Sequence, residues 1–244
     1  MTKNARKAVA LLKAAIRKYS KRKNSYDICI SKGNSKIGWI KNISVAPIIA
    51  CSGICKFCMD HCYDIKSVLQ YKDVVNARAR NFVMLTKNPM EFYIQARQAI
   101  ASQRKGLFRW NVGGEIYNLT YLQIMVKLAN DFPETRFLVF TKKHFLVNSY
   151  CDRNGGRAAI PENLKLIFSF WPGMEMHNPY NFPVSCPYPD EKPGSWIECS
   201  GNCEYCAKKE IGCWNLKSGE TVGFKYHGTE SKAFENAWKE SVTA

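Results

Sequence analysis

Nine of the chain's eleven cysteines fall in two short stretches, 51–62 and 186–213. The first reads Cys51-Ser-Gly-Ile-Cys55-Lys-Phe57-Cys58-Met-Asp-His61-Cys62-Tyr63. Cys51, Cys55 and Cys58 form a C-x3-C-x2-C core, with the aromatic Phe57 directly before the third cysteine. Thiolates suit iron–sulfur clusters, and spacing this short lets one loop wrap a [4Fe–4S] cube, three sulfurs holding three irons while the fourth iron stays open to a small molecule. Zinc is the rival, because Cys51, Cys55, Cys58 and Cys62 also have the spacing of a closed four-thiolate structural site. His61, inside the loop, suits a hydrogen bond behind a metal ligand better than ligation itself.

The second stretch holds Cys186, Cys199, Cys203, Cys206 and Cys213 in a segment rich in proline and glycine, and Cys199, Cys203 and Cys206 repeat the first spacing. Four or more thiolates can saturate a metal centre, so an auxiliary [4Fe–4S] cluster for electron relay or substrate anchoring competes with a structural zinc. Either would staple a tail that lacks a core of its own. Cys29 and Cys151 stand alone and read as small buried apolar side chains. Between the stretches lies Trp110-Asn111-Val112-Gly113-Gly114-Glu115. Glycine lets a backbone approach a ligand with no Cβ in the way, and a glutamate offers an acceptor to an ammonium group. Ser169 is a further candidate contact. Lys142 and Lys143 are candidates for a carboxylate or phosphate, His144 for acid–base work, and Tyr117 and Trp171 for lining a pocket. Packing or surface roles are the bland reading of each.

These residues need elements to position them. Val9, Leu12, Ile16 and Tyr19 recur at helical spacing over 5–20, with Leu11 and Ala15 beside them and Lys7, Arg17 and Lys18 free for the other face. The run Lys21-Arg22-Lys23-Asn24-Ser25 ends that basic amphipathic helix. Gly33-Asn34-Ser35-Lys36-Ile37-Gly38 reads as a turn. Buried strands are expected at 43–49, 107–112, 136–141 and 164–170, and helices at roughly 64–83, 89–103 and 120–130. Alternation of this kind implies βα units on a parallel sheet. The cysteine loop and the Gly-Gly-Glu segment each follow a strand, where α/β proteins place ligand sites. A complete eight-unit barrel takes about 250 residues, and the last 60 residues here read as irregular. The expected fold is therefore α/β, a partial (β/α) barrel over 31–180, with a basic N-terminal extension over 1–30 and a Cys-rich cluster-binding segment over 181–244.

The ordered pair of motifs resembles the radical S-adenosylmethionine (SAM) superfamily, in which a C-x3-C-x-aromatic-C loop ends the first barrel strand and a Gly-Gly-Glu segment ends the second. That resemblance implies a SAM-binding [4Fe–4S] cluster, with SAM held by Phe57, Gly113, Gly114, Glu115 and Ser169. It implies reductive cleavage of SAM to a 5′-deoxyadenosyl radical, fed by an electron donor such as flavodoxin or ferredoxin. More narrowly, Gly33–Gly38, Cys51…Cys58…Cys62-Tyr63, Asn111–Tyr117, Phe140-Thr141, Cys186-Pro187 and Cys213-Trp214 resemble the phage and plasmid gene-product-eighty-eight family over about residues 30–215. The superfamily pattern selects Cys51, Cys55 and Cys58, whereas the narrower one stresses Cys51, Cys58 and Cys62. The position of Phe57 favours the first set. The narrower family's tail carries four cysteines where this chain has five, which makes Cys203 or Cys206 the candidate spare.

Composition bounds the rest. Hydrophobic residues at 46% and charged residues at 23% are ordinary for a globular protein. No stretch approaches the roughly 18 apolar residues of a membrane span, and no secretory signal is apparent. The expected location is the cytoplasm, which for a phage or plasmid product means that of a bacterial host. There disulfides are rare, and clustered cysteines point to metal. The formal net charge is +16, and residues 1–24 carry nine basic and no acidic side chains, so DNA or RNA is the expected polyanion partner. The alternative to the enzyme reading is a non-enzymatic, iron–sulfur or zinc-stapled nucleic-acid-binding protein.

Overall fold

Alanines and one leucine recur every three or four residues at the start of the chain, and they form the inner face of helix α1 (Lys3–Ser20). Thr2 begins it, its hydroxyl accepting the Ala5 amide at 3.2 Å. Ala5, Ala8, Leu12, Ala15 and Tyr19 are buried. Val9 and Ile16 are only half-buried and Leu11 is exposed, so the buried stripe is rotated from the expected one toward the alanines. Small side chains at a helix contact allow closer approach, and α1 packs against two later helices through this face.

The computed structural model describes residues 1–22, 26–51, 55–103, 106–189, 194–226 and 231–242. The end of the expected basic run, Lys23 to Ser25, lies outside the described residues. After α1 come β1 (Lys41–Ile43), α2 (Lys56–Asp60), α3 (Asp64–Gln70), α4 (Lys72–Lys87), α5 (Pro89–Ala101), β2 (Leu107–Trp110), α6 (Leu119–Asp131), β3 (Arg136–Thr141), α7 (His144–Arg153) and β4 (Leu164–Ser169). The chain continues through β5 (Val184–Tyr188), β6 (Ile197–Glu198), α8 (Cys203–Lys208), β7 (Thr221–Lys225) and α9 (Ser231–Val242). No described helix is long and apolar enough to cross a membrane.

The fold is α/β, as expected. Its strands form one sheet in the order β1-β2-β3-β4-β5-β7-β6, each neighbouring pair of strands running parallel, and Ser31 adds an antiparallel bridge to Asn42 of β1. β1 and β6 are the two ends of that order, so the sheet is open. Two expectations need correction. The apolar run from Ile43 to Ile49 is strand only at its start. Pro47 has no amide to donate, Ile48 adopts φ +65°, and the Ala50 amide turns back to the Ala46 carbonyl at 2.9 Å. The tail is also less irregular than it reads, since β5, β6 and β7 extend the same sheet. Pro187 hid β5. The Val184 amide reaches the Glu220 carbonyl beside β7, so alternation turns position 187 toward β4. There the pairing has already ended at Ser169–Ser185, and no donor is missed.

Strand alternation gives the sheet two apolar faces. Phe108, Trp110, Phe137, Val139, Leu166 and Phe168 pack under the helices in the main core, which includes α1. Leu107, Leu138, Ile167 and Val222 face the other way, toward Cys206, Cys213 and Trp214. The helix after β2 begins at a cap: the Asn118 carboxamide accepts the Tyr121 amide at 3.0 Å. Asn118→Ala should therefore cost about 1 kcal/mol of unfolding free energy in a denaturant titration. An unchanged midpoint would show that the cap contributes nothing.

Candidate metal and cofactor site

Short backbone bonds tie the end of β1 to the end of β2. The Asn111 amide donates to the Ile43 carbonyl at 2.8 Å and the Val45 amide to the Gly113 carbonyl at 3.2 Å, while Ser44 Oγ accepts the Gly113 amide at 3.2 Å. Gly114 has φ +87°, and a Cβ there would lie 2.5 Å from the Val45 carbonyl oxygen. A Cβ on Gly113 would lie 1.8 Å from Asp64 Oδ2. Both glycines thus admit close approach of chain to chain: Gly114 seats the segment that leads to Cys51, and Gly113 seats the start of α3. Asp64, in turn, is buried and paired with Arg78 from α4, at 3.2 Å from Nε to Oδ2 and 3.3 Å from Nη2 to Oδ1. Sequence spacing gave no sign of this pair, because its partners lie on different helices.

The cysteine loop is held from several sides. Cys55 Sγ accepts the Cys58 amide at 3.4 Å and so begins α2. Asp60 at the end of α2 accepts the Thr2 amide at 2.8 Å, joining the start of α1 to the loop. Tyr63, next to Cys62, donates its hydroxyl to the Val112 carbonyl. Phe57 lies 4.2 Å from the His61 ring, 6.1 Å from Trp171 and 5.8 Å from the fully buried Phe234 of α9. Phe234 belongs to the tail, and nothing in the sequence singled it out.

Glu115 is 3% exposed, and its carboxylate ties the segment after β2 to the end of β3. Oε1 accepts Thr141 Oγ1 and the Ile116 amide, both at 2.7 Å, and Oε2 accepts the Lys142 amide at 2.8 Å. The thiols lie within electrostatic reach. Burial pushes Cys51 well up, with Glu115 and Cys62 adding to it and Lys142 opposing. Burial pushes Cys58 up to about 12, against the pull of Lys142. Cys62 is raised by burial and by Asp64, again opposed by Lys142. Burial works against the Lys142 ammonium, but Cys58, Glu115 and Cys51 outweigh it and hold its pKa above the ordinary lysine value. Lys142 also lies 5.6 Å from the Trp171 ring. Cys51, Cys58, Cys62, Glu115 and Lys142 are thus one electrostatic group at the C-terminal ends of β1, β2 and β3. Such surroundings keep free thiols protonated, and a thiophilic metal would have to displace their protons.

The other candidates lie nearby or apart. Ser169 is buried at the end of β4, 3.0 Å from Ser185 Oγ, and its carbonyl lies 3.1 Å from His144 Nε2. His144 is buried, and desolvation lowers its pKa. Tyr117 meets Phe82 edge-on at 4.8 Å, a packing contact. Cys199, Cys203, Cys206 and Cys213 gather on the opposite face of the sheet in the second apolar cluster. Among the described residues, no three His, Cys, Asp or Glu side chains stand close enough to hold a single metal ion. The fit to a cluster therefore rests on donor chemistry. Soft sulfur donors, a cation that favours thiolates and a carboxylate with acceptor capacity are all present at the strand ends.

Fold and site together define an open parallel α/β protein with a thiol-rich centre at the C-terminal edge of its sheet. The chain belongs to the Gene product 88 family, whose model matches residues 3–223. That match begins earlier and ends later than the span expected from the sequence, and it takes in α1. No curated protein and no solved structure matches the chain.

Proposed function

We propose that this protein is a radical SAM-like enzyme whose first cysteine loop holds a [4Fe–4S] cluster with one iron open to SAM. The observation that carries this reading is the grouping of Cys51, Cys58 and Cys62 with Glu115 and Lys142 at the ends of three adjacent parallel strands. The Cys58 amide donates to Cys55 Sγ, which favours a thiolate there and keeps Cys55 among the candidate ligands with Cys51, Cys58 and Cys62. When bound, the cluster would supply the electron that cleaves SAM. Glu115 accepts three donors; a carboxylate has about four acceptor positions, and the remaining capacity suits the SAM ammonium. Gly113 and Gly114 support the site by seating Asp64 and Val45. Phe57 and Trp171 shield the loop. The reading includes the likeness of the sheet to the partial barrel of that superfamily, an external reductant such as flavodoxin or ferredoxin, and a place in the bacterial cytoplasm. The test is anaerobic purification and analysis of iron, sulfide and zinc, followed by incubation with dithionite and SAM. Brown protein that releases 5′-deoxyadenosine is expected; colourless protein, or a cluster that gives no 5′-deoxyadenosine and no spectral response to SAM, sinks the proposal.

A nucleic-acid substrate or partner is favoured by one observation. Lys3, Arg6, Lys7, Lys13, Arg17, Lys18, Lys21 and Arg22 are all exposed on and just after α1. Binding to duplex or single-stranded nucleic acid should weaken steeply as salt rises, by counterion release. Binding that ignores salt would exclude a phosphate-driven contact.

A further inference from the structure

We propose that Cys199, Cys203, Cys206 and Cys213 are the four ligands of a second, self-contained iron–sulfur cluster, since they do not stand close enough to share a single ion, and that Cys186 takes no part in it. The proposal stands whether or not the first loop holds a cluster, because the two groups lie on different elements.

Topology separates the cysteines. Val222 and Phe224 of β7 pack in the cluster that contains the four thiols. Ser185 pairs in register with Val222, and Cys186 with Gly223. Side chains alternate along a strand, so Cys186 faces the other side of the sheet. Burial alone raises its thiol, to about 12, with no contribution from the other cysteines. The four on the opposite face lie together in one apolar cluster with Trp214 and Leu216.

The surroundings are built around sulfur. Arg109 Nη1 donates to Cys203 Sγ at 3.0 Å, the Gly201 amide to Cys199 Sγ at 3.4 Å, and Ser200 Oγ lies 2.9 Å from Cys206 Sγ. The Arg109 and Gly201 donors aimed at sulfur favour the thiolate over the thiol. Arg109 Nε is buried and has no acceptor among the described residues, which leaves a donor for an acceptor that a metal centre would bring. Two glycines in left-handed conformation flank the ligands. Gly201 has φ +80°, and Gly212 has φ +60° with its absent Cβ only 3.1 Å from Cys206 Sγ. None of the four is in a disulfide. A thiolate from each would leave no iron of a four-iron cluster open to a substrate.

Such a centre would also fasten the start of the fold to its end. The Cys203 amide donates to the Lys36 carbonyl at 3.0 Å, Asn202 Nδ2 to the Ser35 carbonyl at 3.1 Å, and the Trp39 amide to Glu204 Oε2 at 2.7 Å. A Cβ on Gly38 would lie 2.3 Å from the Glu204 Cβ, so the Gly33–Gly38 turn fits against α8 only as glycine.

The test compares metal and sulfide content of the full chain, purified without oxygen, in wild type and in the Cys203→Ser, Cys213→Ser, Cys186→Ser and Cys58→Ser variants. Cys203→Ser and Cys213→Ser should each lose one complement of metal, about four irons with sulfide. Cys186→Ser should keep the full content. Cys58→Ser should keep the second complement whatever happens at the first loop, which separates failure of this proposal from failure of the first. Should the serine variants not fold, native wild-type protein is alkylated with iodoacetamide and mapped by mass spectrometry. The four cysteines should be protected together and become labelled together after chelation. Labelling of the half-exposed Cys199 and Cys203 without chelation, zinc in place of iron at this centre, full metal content in Cys203→Ser, or metal loss in Cys186→Ser would overturn the proposal.

Discussion

Arg78→Met should unfold with about 3–5 kcal/mol less free energy than the wild type, the typical cost of stranding one partner of a buried ion pair. The Asp64 side chain is 4% exposed and that of Arg78 is 14% exposed, and the guanidinium meets both carboxylate oxygens. Without it Asp64 keeps a carboxylate in the interior, packed where a side chain on Gly113 would lie. The effect should reach the site, because Asp64 begins the helix that follows Cys62. Asp64→Asn combined with Arg78→Met should recover part of the loss, since the stranded charge is then gone. Denaturant titrations of the two single variants and the double variant measure this directly. A loss below about 1 kcal/mol for Arg78→Met would place the pair among solvent-screened ion pairs.

Replacing Glu115 by alanine should cost at least about 3 kcal/mol, as three donors lose their acceptor at once. The Thr141 hydroxyl and the Ile116 and Lys142 amides all point at this carboxylate, and a buried unsatisfied donor costs about 1–3 kcal/mol. Glu115→Gln separates the structural role from the chemical one. It keeps the shape and one oxygen, so it should lose less stability than alanine. It removes the negative charge beside Lys142 and the thiols, so under the proposed function it should lose the spectral response of the reduced protein to SAM. A Glu115→Gln protein that folds, carries its metal and responds to SAM as the wild type does would confine Glu115 to holding strand ends together.

Much of the sheet was legible in short apolar runs. Arg136–Thr141 matches its expected bounds, and the strands at 107 and 164 differ only at their ends. The expected helix over 64–83 is two, broken at Tyr71, which is extended at φ −123°, ψ 112°. Tyr71 carries no helix-breaking side chain, so periodicity ran through it unbroken. The tail misled for a different reason. Proline, glycine and cysteine are read as loop, yet in β5 and β7 the neighbouring strand supplies what local propensity lacks.

By itself, the sequence determined which chemistry is available: sulfur in two dense groups, a glutamate after two glycines, and a basic first helix. Those are properties of residue type and near spacing, and they survive any fold. Only the tertiary structure decided the partnerships. It brought Lys142 to the thiols of the first loop, turned Cys186 away from the other four tail cysteines, and gave the missing side chains of Gly113 and Gly114 over to Asp64 and Val45. Each of these depends on strand register and on helices far apart in the chain. A strand's alternation says only that neighbouring residues face opposite ways; which face meets which partner is set when the sheet is assembled.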